Sequence, residues 1–105
     1  MDPVDYRTAT WKDIQDRLIG LRHRCWQAWL QHGPGTTREV AARAEIDLLT
    51  FRPRSTELYQ LGFLAIAVDR EGHEGIYRAR SMTEAAENYL RLASEARNPQ
   101  LDLSF

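Results

Sequence analysis

This sequence of 105 residues is poor in cysteine and in long apolar runs. Its single cysteine, Cys25, excludes an intramolecular disulfide, a zinc ribbon and a CxxC redox motif, and we expect it to be buried as a small hydrophobic residue. No apolar run is long enough to cross a bilayer, and the first residues are polar and acidic where a secretory signal would be basic and then apolar. We therefore expect a cytoplasmic protein with no membrane partner.

The sequence also lacks an excess of charge of one sign. Its 14 basic and 15 acidic residues give a formal net charge of -1, so any nucleic-acid-binding face must come from the local placement of basic side chains. Hydrophobic residues make up 43% and charged residues 28%, a balance typical of a globular chain and not of a disordered one. The length predicts a single domain, residues 1–105, with one core.

Catalytic and metal-binding motifs are missing as well. His73 lies between Glu71 and Glu74, but the sequence has neither an HExxH motif nor a second histidine nearby. The Gly33-Pro34-Gly35 segment lacks the Lys-Ser/Thr pair of a phosphate-binding loop. We therefore expect neither an enzyme nor a metal or cofactor site, and the sequence leaves open whether a small effector binds.

The first third of the sequence has helical periodicity. From about Thr10 to His32, apolar residues recur with a 3-4-3-4-3 spacing, at Trp11, Ile14, Leu18, Leu21, Cys25 and Ala28. Residues from Leu21 to Leu30 are apolar over more of the circumference, so this half should enter the core while the first half packs against something else. Gly20 is a poor helix former, which leaves open one long helix or two short ones.

Two further helices separated by a tight turn are predicted in the middle of the chain. Thr36 and Glu39 have the spacing of a capping box, and the helix that follows has small inward residues, Val40, Ala41 and Ala44. After a turn at residues 45–47, the next helix is predicted over about Thr50 to Leu61, with Thr50 as N-cap and Pro53 in the first turn. Its inward residues are Phe51, Ser55, Leu58 and Leu61, and Gly62 ends it.

A β-hairpin and a last helix are predicted in the remainder. From Phe63 the apolar period becomes two and both strand faces are apolar, so this strand should be largely buried. Residues 76–80 form its partner. Ser81 and Glu84 then have the spacing of a second capping box, opening a helix over about 82–97 with one apolar side, Met82, Ala85, Tyr89, Leu92 and Ala96.

The order helix, turn, helix, hairpin resembles the winged helix-turn-helix family of DNA-binding proteins, over roughly residues 21–80. The resemblance lies in TTREVAARAEIDLLTFRPRSTELYQLGFLAIAV, with its opening Thr36, the small inner face at Val40-Ala41, and a Leu-x-x-Leu-Gly end at residues 58–62. The Arg-Pro-Arg segment at 52–54 is similar to small regulators encoded by phages and prophages. The family often has Gly where this chain has Glu45, so that residue must adopt a left-handed conformation or form another turn.

The resemblance implies a mainly α fold with a small hairpin, and binding of double-stranded DNA to regulate transcription. The third helix would enter the major groove with Arg52 and Thr56 near bases and Arg54 near phosphate, while the hairpin would form a wing along the backbone. The full predicted DNA-contacting set is Thr37, Arg38, Thr50, Arg52, Arg54, Thr56, Gln60, Arg70, His73 and Arg78. The alternative is a winged-helix module that binds another protein and no DNA, which the near-neutral charge favours.

The apolar side chains at the two ends of the chain predict a homodimer. Trp11, Ile14 and Leu18 continue an apolar seam beyond the predicted core, and the last helix offers Tyr89 and Leu92 on a matching side. A two-fold axis would place two recognition helices about 34 Å apart, one turn of duplex. The competing interpretation is that the two terminal helices pack against each other within one chain.

Overall fold

The computed structural model describes residues 10–69 and 74–97, with the side chains of 96 and 97 excepted. Five helices and two strands follow one another in it: α1 Trp11–Asp16, α2 Gly20–His32, α3 Thr37–Ala44, α4 Leu48–Leu61, β1 Leu64–Val68, β2 Ile76–Ala79 and α5 Met82–Arg97. The predicted fold class, mainly α with a small β-hairpin, is confirmed.

The N-terminal periodic segment is two helices and not one. α1 is capped by Arg17, and Ile19 has an extended backbone before α2 begins. Gly20 has a φ of +57°, a conformation that side chains other than glycine rarely adopt, and a Cβ there would meet nothing within 4 Å. The backbone requirement at Gly20, rather than crowding, therefore separates the helices.

Only one side of α2 enters the core. Cys25, Ala28 and Trp29 are buried where α2 packs on α3, α4 and β2. Leu21 and Leu30 are 39% and 46% exposed, so the expectation that the whole segment between them is buried is wrong. The neighbouring elements cover only one side of α2. The apolar residues between Leu21 and Leu30 extend around more of the helix than that side, so some of them stay exposed. Burial raises the pKa of the Cys25 thiol, in keeping with its predicted role as a core residue.

The α3–turn–α4 unit is set by local hydrogen bonds. Thr36 Oγ1 accepts from the Glu39 amide at 3.1 Å and the Glu39 carboxylate accepts from the Thr36 amide at 2.9 Å, which confirms the capping box. Glu45 adopts the left-handed conformation, with φ of +57°, and the Ile46 amide donates to Ala41 O at 2.9 Å, which closes the end of α3. The chain thus makes a tight turn between α3 and α4 with a glutamate in the left-handed conformation.

The start of α4 differs from the prediction. The N-cap is Asp47 and not Thr50, because the Asp47 carboxylate accepts from the Thr50 amide at 3.2 Å and lets the helix begin at Leu48. Pro53 then lies inside the helix, beyond its first turn. There its missing N–H leaves one carbonyl of the first turn without its helical partner.

The hairpin is antiparallel and pairs Leu64 with Ala79 and Ile66 with Tyr77, with a register irregularity between Ile66 and Val68. A third backbone segment joins it, since Gly35 and Tyr77 exchange both of their N–H···O=C bonds, at 3.1 and 2.9 Å. Leu64 is buried, but Ile66 and Val68 are each 47% exposed. The expectation of a largely buried strand is therefore wrong, because the hairpin continues past the core.

The terminal helices are covered within one chain. Ile14 and Leu18 are buried on the core, and the Trp11 ring lies 5.7 Å from the Tyr89 ring and 6.0 Å from the Phe63 ring. Of the predicted stripe on α5, Ala85 and Tyr89 are buried, Leu92 is partly buried and Met82 is partly exposed, while the side chain of Ala96 lies outside the described residues. The inference that Trp11, Ile14 and Leu18 extend beyond the core is corrected: contacts within the chain bury most of this seam.

Candidate nucleic-acid interface

The buried side of α4 fixes which residues of the helix face solvent. Phe51 and Leu58 are fully buried, and Ser55 Oγ accepts a hydrogen bond from the buried Trp29 indole N–H at 2.9 Å. Since these residues point into the core, Arg52 and Thr56 lie on a flank of α4 that is exposed to solvent. The Thr56 hydroxyl donates to Arg52 O at 3.2 Å.

Two of the predicted arginines from different helices meet at the wing. Arg52 Nη2 of α4 lies 3.6 Å from one oxygen of the Glu74 carboxylate, and Arg38 Nε of α3 lies 3.8 Å from the other. All three side chains are well exposed to solvent. The N-terminal end of α3, the outer side of α4 and the wing loop at Glu74 therefore form one continuous face, which we call the arginine face.

A small cavity of about 110 Å³ opens between the same three elements. All of its lining residues but Leu64 carry a hydroxyl group: Thr37, Ser55, Thr56, Tyr59 and Tyr77. The rings of Tyr59 and Tyr77 stand edge to face with centroids 5.7 Å apart. Thr37 and Thr56, both predicted contacts, thus lie beside Arg38 and Arg52 on the arginine face.

Arg54 lies on a different side of α4. Two residues along a helix correspond to a rotation of about 200°, so Arg52 and Arg54 point in nearly opposite directions. Arg54 Nη2 pairs with Glu57 at 2.9 Å, and the other Glu57 oxygen pairs with Arg22 Nε of α2 at 2.7 Å. Arg22 also donates to Arg17 O at 3.1 Å, so this network ties the α1–α2 junction to α4. Arg54 therefore has a packing role that its sequence position does not reveal.

Arg78 also lies apart from the arginine face. Its guanidinium pairs with Glu84 of α5 at 3.1 Å. The pKa of Glu84 is lowered, first by the hydrogen bond from the Ser81 amide and then by the one from Arg78. Together with the Glu84 amide bond to Ser81 Oγ, this confirms the second capping box.

The remaining predicted contacts are distributed unevenly. Thr50 is exposed in the first turn of α4, and Gln60 is partly buried near its end. Arg70 and His73 fall in the segment 70–73, outside the described residues. Sequence reasoning did not include Glu74, Tyr59 or Tyr77 in the face. In the sequence, Glu74 is only a charged residue of the turn next to His73. Its position between two arginines depends on the hairpin register.

Within residues 10–69 and 74–97, no group of three or more His, Cys, Asp or Glu side chains could hold a metal ion. No helix of that part of the chain is long and apolar enough to cross a membrane.

Comparison with solved structures decides the fold. The chain superimposes on a homodimeric winged helix-turn-helix DNA-binding domain from Mycobacterium bovis, determined by NMR and described as part of a possible ArsR-family transcriptional regulator. The TM-score is 0.51, the sequences are 20% identical, and the match covers 93% of this chain and 92% of that one.

The fold is a winged helix-turn-helix. α3 and α4 are its helix-turn-helix unit, and β1 and β2 are its wing. No protein-family model and no curated protein sequence matches the chain.

Proposed function

We propose that this protein binds double-stranded DNA through the arginine face and regulates transcription as a homodimer. The observation that carries the proposal is the convergence of Arg38 and Arg52, from the two helices of the helix-turn-helix unit, at Glu74 in the wing loop. In winged-helix proteins that bind duplexes, these are the elements that meet the DNA. The Mycobacterium bovis domain of the same fold is described as DNA-binding and homodimeric, which supports both parts of the proposal.

The face combines groups that can reach either base edges or the backbone with groups suited to the backbone alone. Arg52 and Thr56 lie on the exposed side of α4, where a guanidinium can donate to guanine or to a phosphate oxygen, and a hydroxyl can contact either base edges or phosphate. Thr37 and Arg38 lie at the start of α3, whose amide groups and dipole favour an anion. Arg54 and Arg78 are held by carboxylates elsewhere, so we assign them no primary contact.

The near-neutral net charge is compatible with this role because Arg38 and Arg52, from two helices, converge on one face. Glu74 lies between them, whereas Glu57 is turned toward Arg22 and Arg54 on another side of α4. The resemblance of the Arg-Pro-Arg segment of α4 to small phage and prophage regulators supports a regulator of that type, and DNA binding implies that it acts in the cytoplasm.

A second copy of the chain has a surface available on α5. Met82, Ala86 and Leu90 lie along one side of the helix at intervals of four residues, next to the buried stripe. Leu90 is 64% exposed, and Met82 Sδ lies 4.0 Å from Gln15 Nε2, so this side of α5 borders α1. We place the dimer contact here. Tyr89 and Leu92 of α5, Trp11 and Ile14 of α1, and Leu18 of the α1–α2 connection support it from beneath.

The test is the affinity for random-sequence duplex DNA measured at several salt concentrations. If the arginine face neutralises phosphates, log affinity falls linearly with log salt, with a slope of about -0.9 per phosphate contacted. Undetectable binding at low salt would contradict the proposal and favour the protein-binding alternative.

A further inference from the structure

We propose that Arg38, Arg52 and the hydroxyl groups beside them form a subsite for one phosphodiester of the DNA backbone, and that the Glu74 carboxylate occupies this subsite in the free protein. The inference rests on the proposed function, since it assigns a ligand group to one part of the arginine face. It adds a role for an acidic residue that would otherwise count against DNA binding.

The carboxylate of Glu74 bridges the two arginines as a phosphate would. Each of its oxygens faces a different guanidinium, at 3.6 Å for Arg52 and 3.8 Å for Arg38. A phosphodiester likewise presents one negative charge shared by two outer oxygens. The two groups therefore compete for the same pair of cations.

The bridge is weak enough to be exchanged. Both separations exceed the roughly 2.7–2.9 Å typical of charge-assisted hydrogen bonds. The three side chains are also open to water, which screens their attraction. By comparison, Glu57 is much less exposed and pairs with Arg22 at 2.7 Å, so it is a structural carboxylate.

Hydroxyl groups extend the subsite on the protein side. Thr37 is next to Arg38 in sequence, and the Thr56 hydroxyl lies one helical turn from Arg52, bonded to its carbonyl at 3.2 Å. Both threonines line the cavity of about 110 Å³ together with Tyr59 and Tyr77. A neutral donor such as the Thr37 hydroxyl suits a phosphate oxygen without adding charge, and the Thr56 hydroxyl can donate to one when it rotates away from Arg52 O.

Occupation by Glu74 has a definite consequence for binding. A phosphate must displace the carboxylate, and the displaced carboxylate then lies beside the negatively charged duplex. Glu74 therefore lowers the affinity for duplexes of any sequence, because phosphate contacts carry no base information.

The experiment compares Glu74→Gln with the unmodified protein and with Glu95→Gln in duplex titrations at low and moderate salt. Glu95 pairs with Arg91 at 2.9 Å on α5, so its replacement makes the same change in net charge and also removes a carboxylate from an arginine. We expect Glu74→Gln to bind roughly three- to tenfold more tightly at low salt, the range given by one or two exposed ion pairs. The gain should shrink as salt screens the carboxylate, and Glu95→Gln should stay close to the unmodified protein.

The failure of this inference can be told apart from the failure of the proposed function. If the unmodified protein binds duplex and Arg52→Ala weakens that binding, but Glu74→Gln binds no more tightly than Glu95→Gln, the subsite is refuted and the DNA-binding face remains. Weaker binding by Glu74→Gln, with thermal unfolding unchanged, would also refute it and would make Glu74 a direct DNA contact. If the unmodified protein binds no duplex at all, both proposals are refuted.

Discussion

Among single residues, neighbours in the sequence can have different roles in the structure. Arg52 and Arg54 are two residues apart and both were predicted to contact DNA, yet one lies on the arginine face and the other pairs with Glu57. The helical period predicts that they point in different directions. It cannot predict which carboxylate each one finds, because Glu74 and Glu57 reach them through tertiary packing.

The hydrogen bond between Trp29 and Ser55 gives a residue-scale prediction. Ser55→Ala removes the acceptor from an indole N–H on a side chain that is 1% exposed, so we expect the free energy of unfolding to fall by about 1–3 kcal/mol. Urea unfolding measures this loss. Thr56→Ala, the exposed neighbour, is the matched control and should change stability by less than about 0.5 kcal/mol. Equal stability of the two variants would show that the indole finds another partner.

At the scale of elements, the sequence predicts what local hydrogen bonds determine. Both capping boxes, at Thr36 and at Ser81, and the end of α4 at Gly62 are confirmed because each depends on residues only a few positions apart. The start of α4 was misplaced because Asp47 and Thr50 are both good caps and only the packed helix selects between them. The outer half of β1 is exposed and Leu18 is buried because of where neighbouring elements end. A periodic pattern of apolar residues does not predict where those elements end.

The turn between α3 and α4 gives a prediction for one element. Glu45 is exposed and holds a left-handed backbone that costs a side-chain-bearing residue about 1–2 kcal/mol. Glycine removes that cost but adds freedom to the unfolded chain, so we expect Glu45→Gly to raise the free energy of unfolding by up to about 1 kcal/mol. Ala42→Gly, at an exposed helical position of α3, should instead lower it by about 1 kcal/mol. A loss of stability in Glu45→Gly would show that the carboxylate contributes more than the strain costs.

At the scale of the whole molecule, burial of the α1 seam within the chain changes which residues test the dimer. Replacing Leu18 would damage the core, whereas Met82 and Leu90 are partly exposed on α5. We expect sedimentation at micromolar concentration to give twice the 12.2 kDa of one chain. Met82→Glu combined with Leu90→Glu should give the monomer with unchanged helicity. A parent protein that sediments as a monomer would contradict the dimer without affecting the fold.

If the arginine face binds duplex DNA, replacing Arg52 must weaken binding and replacing Arg91 must not, so the duplex affinities of Arg52→Ala and Arg91→Ala are compared. Both arginines are exposed and paired with a glutamate, but Arg91 lies on α5, away from α3, α4 and the wing. We predict that Arg52→Ala loses roughly 1–3 kcal/mol of binding free energy while Arg91→Ala binds like the unmodified protein. Equal binding by the two variants, or a larger loss in Arg91→Ala, would show that duplex DNA does not bind through the arginine face.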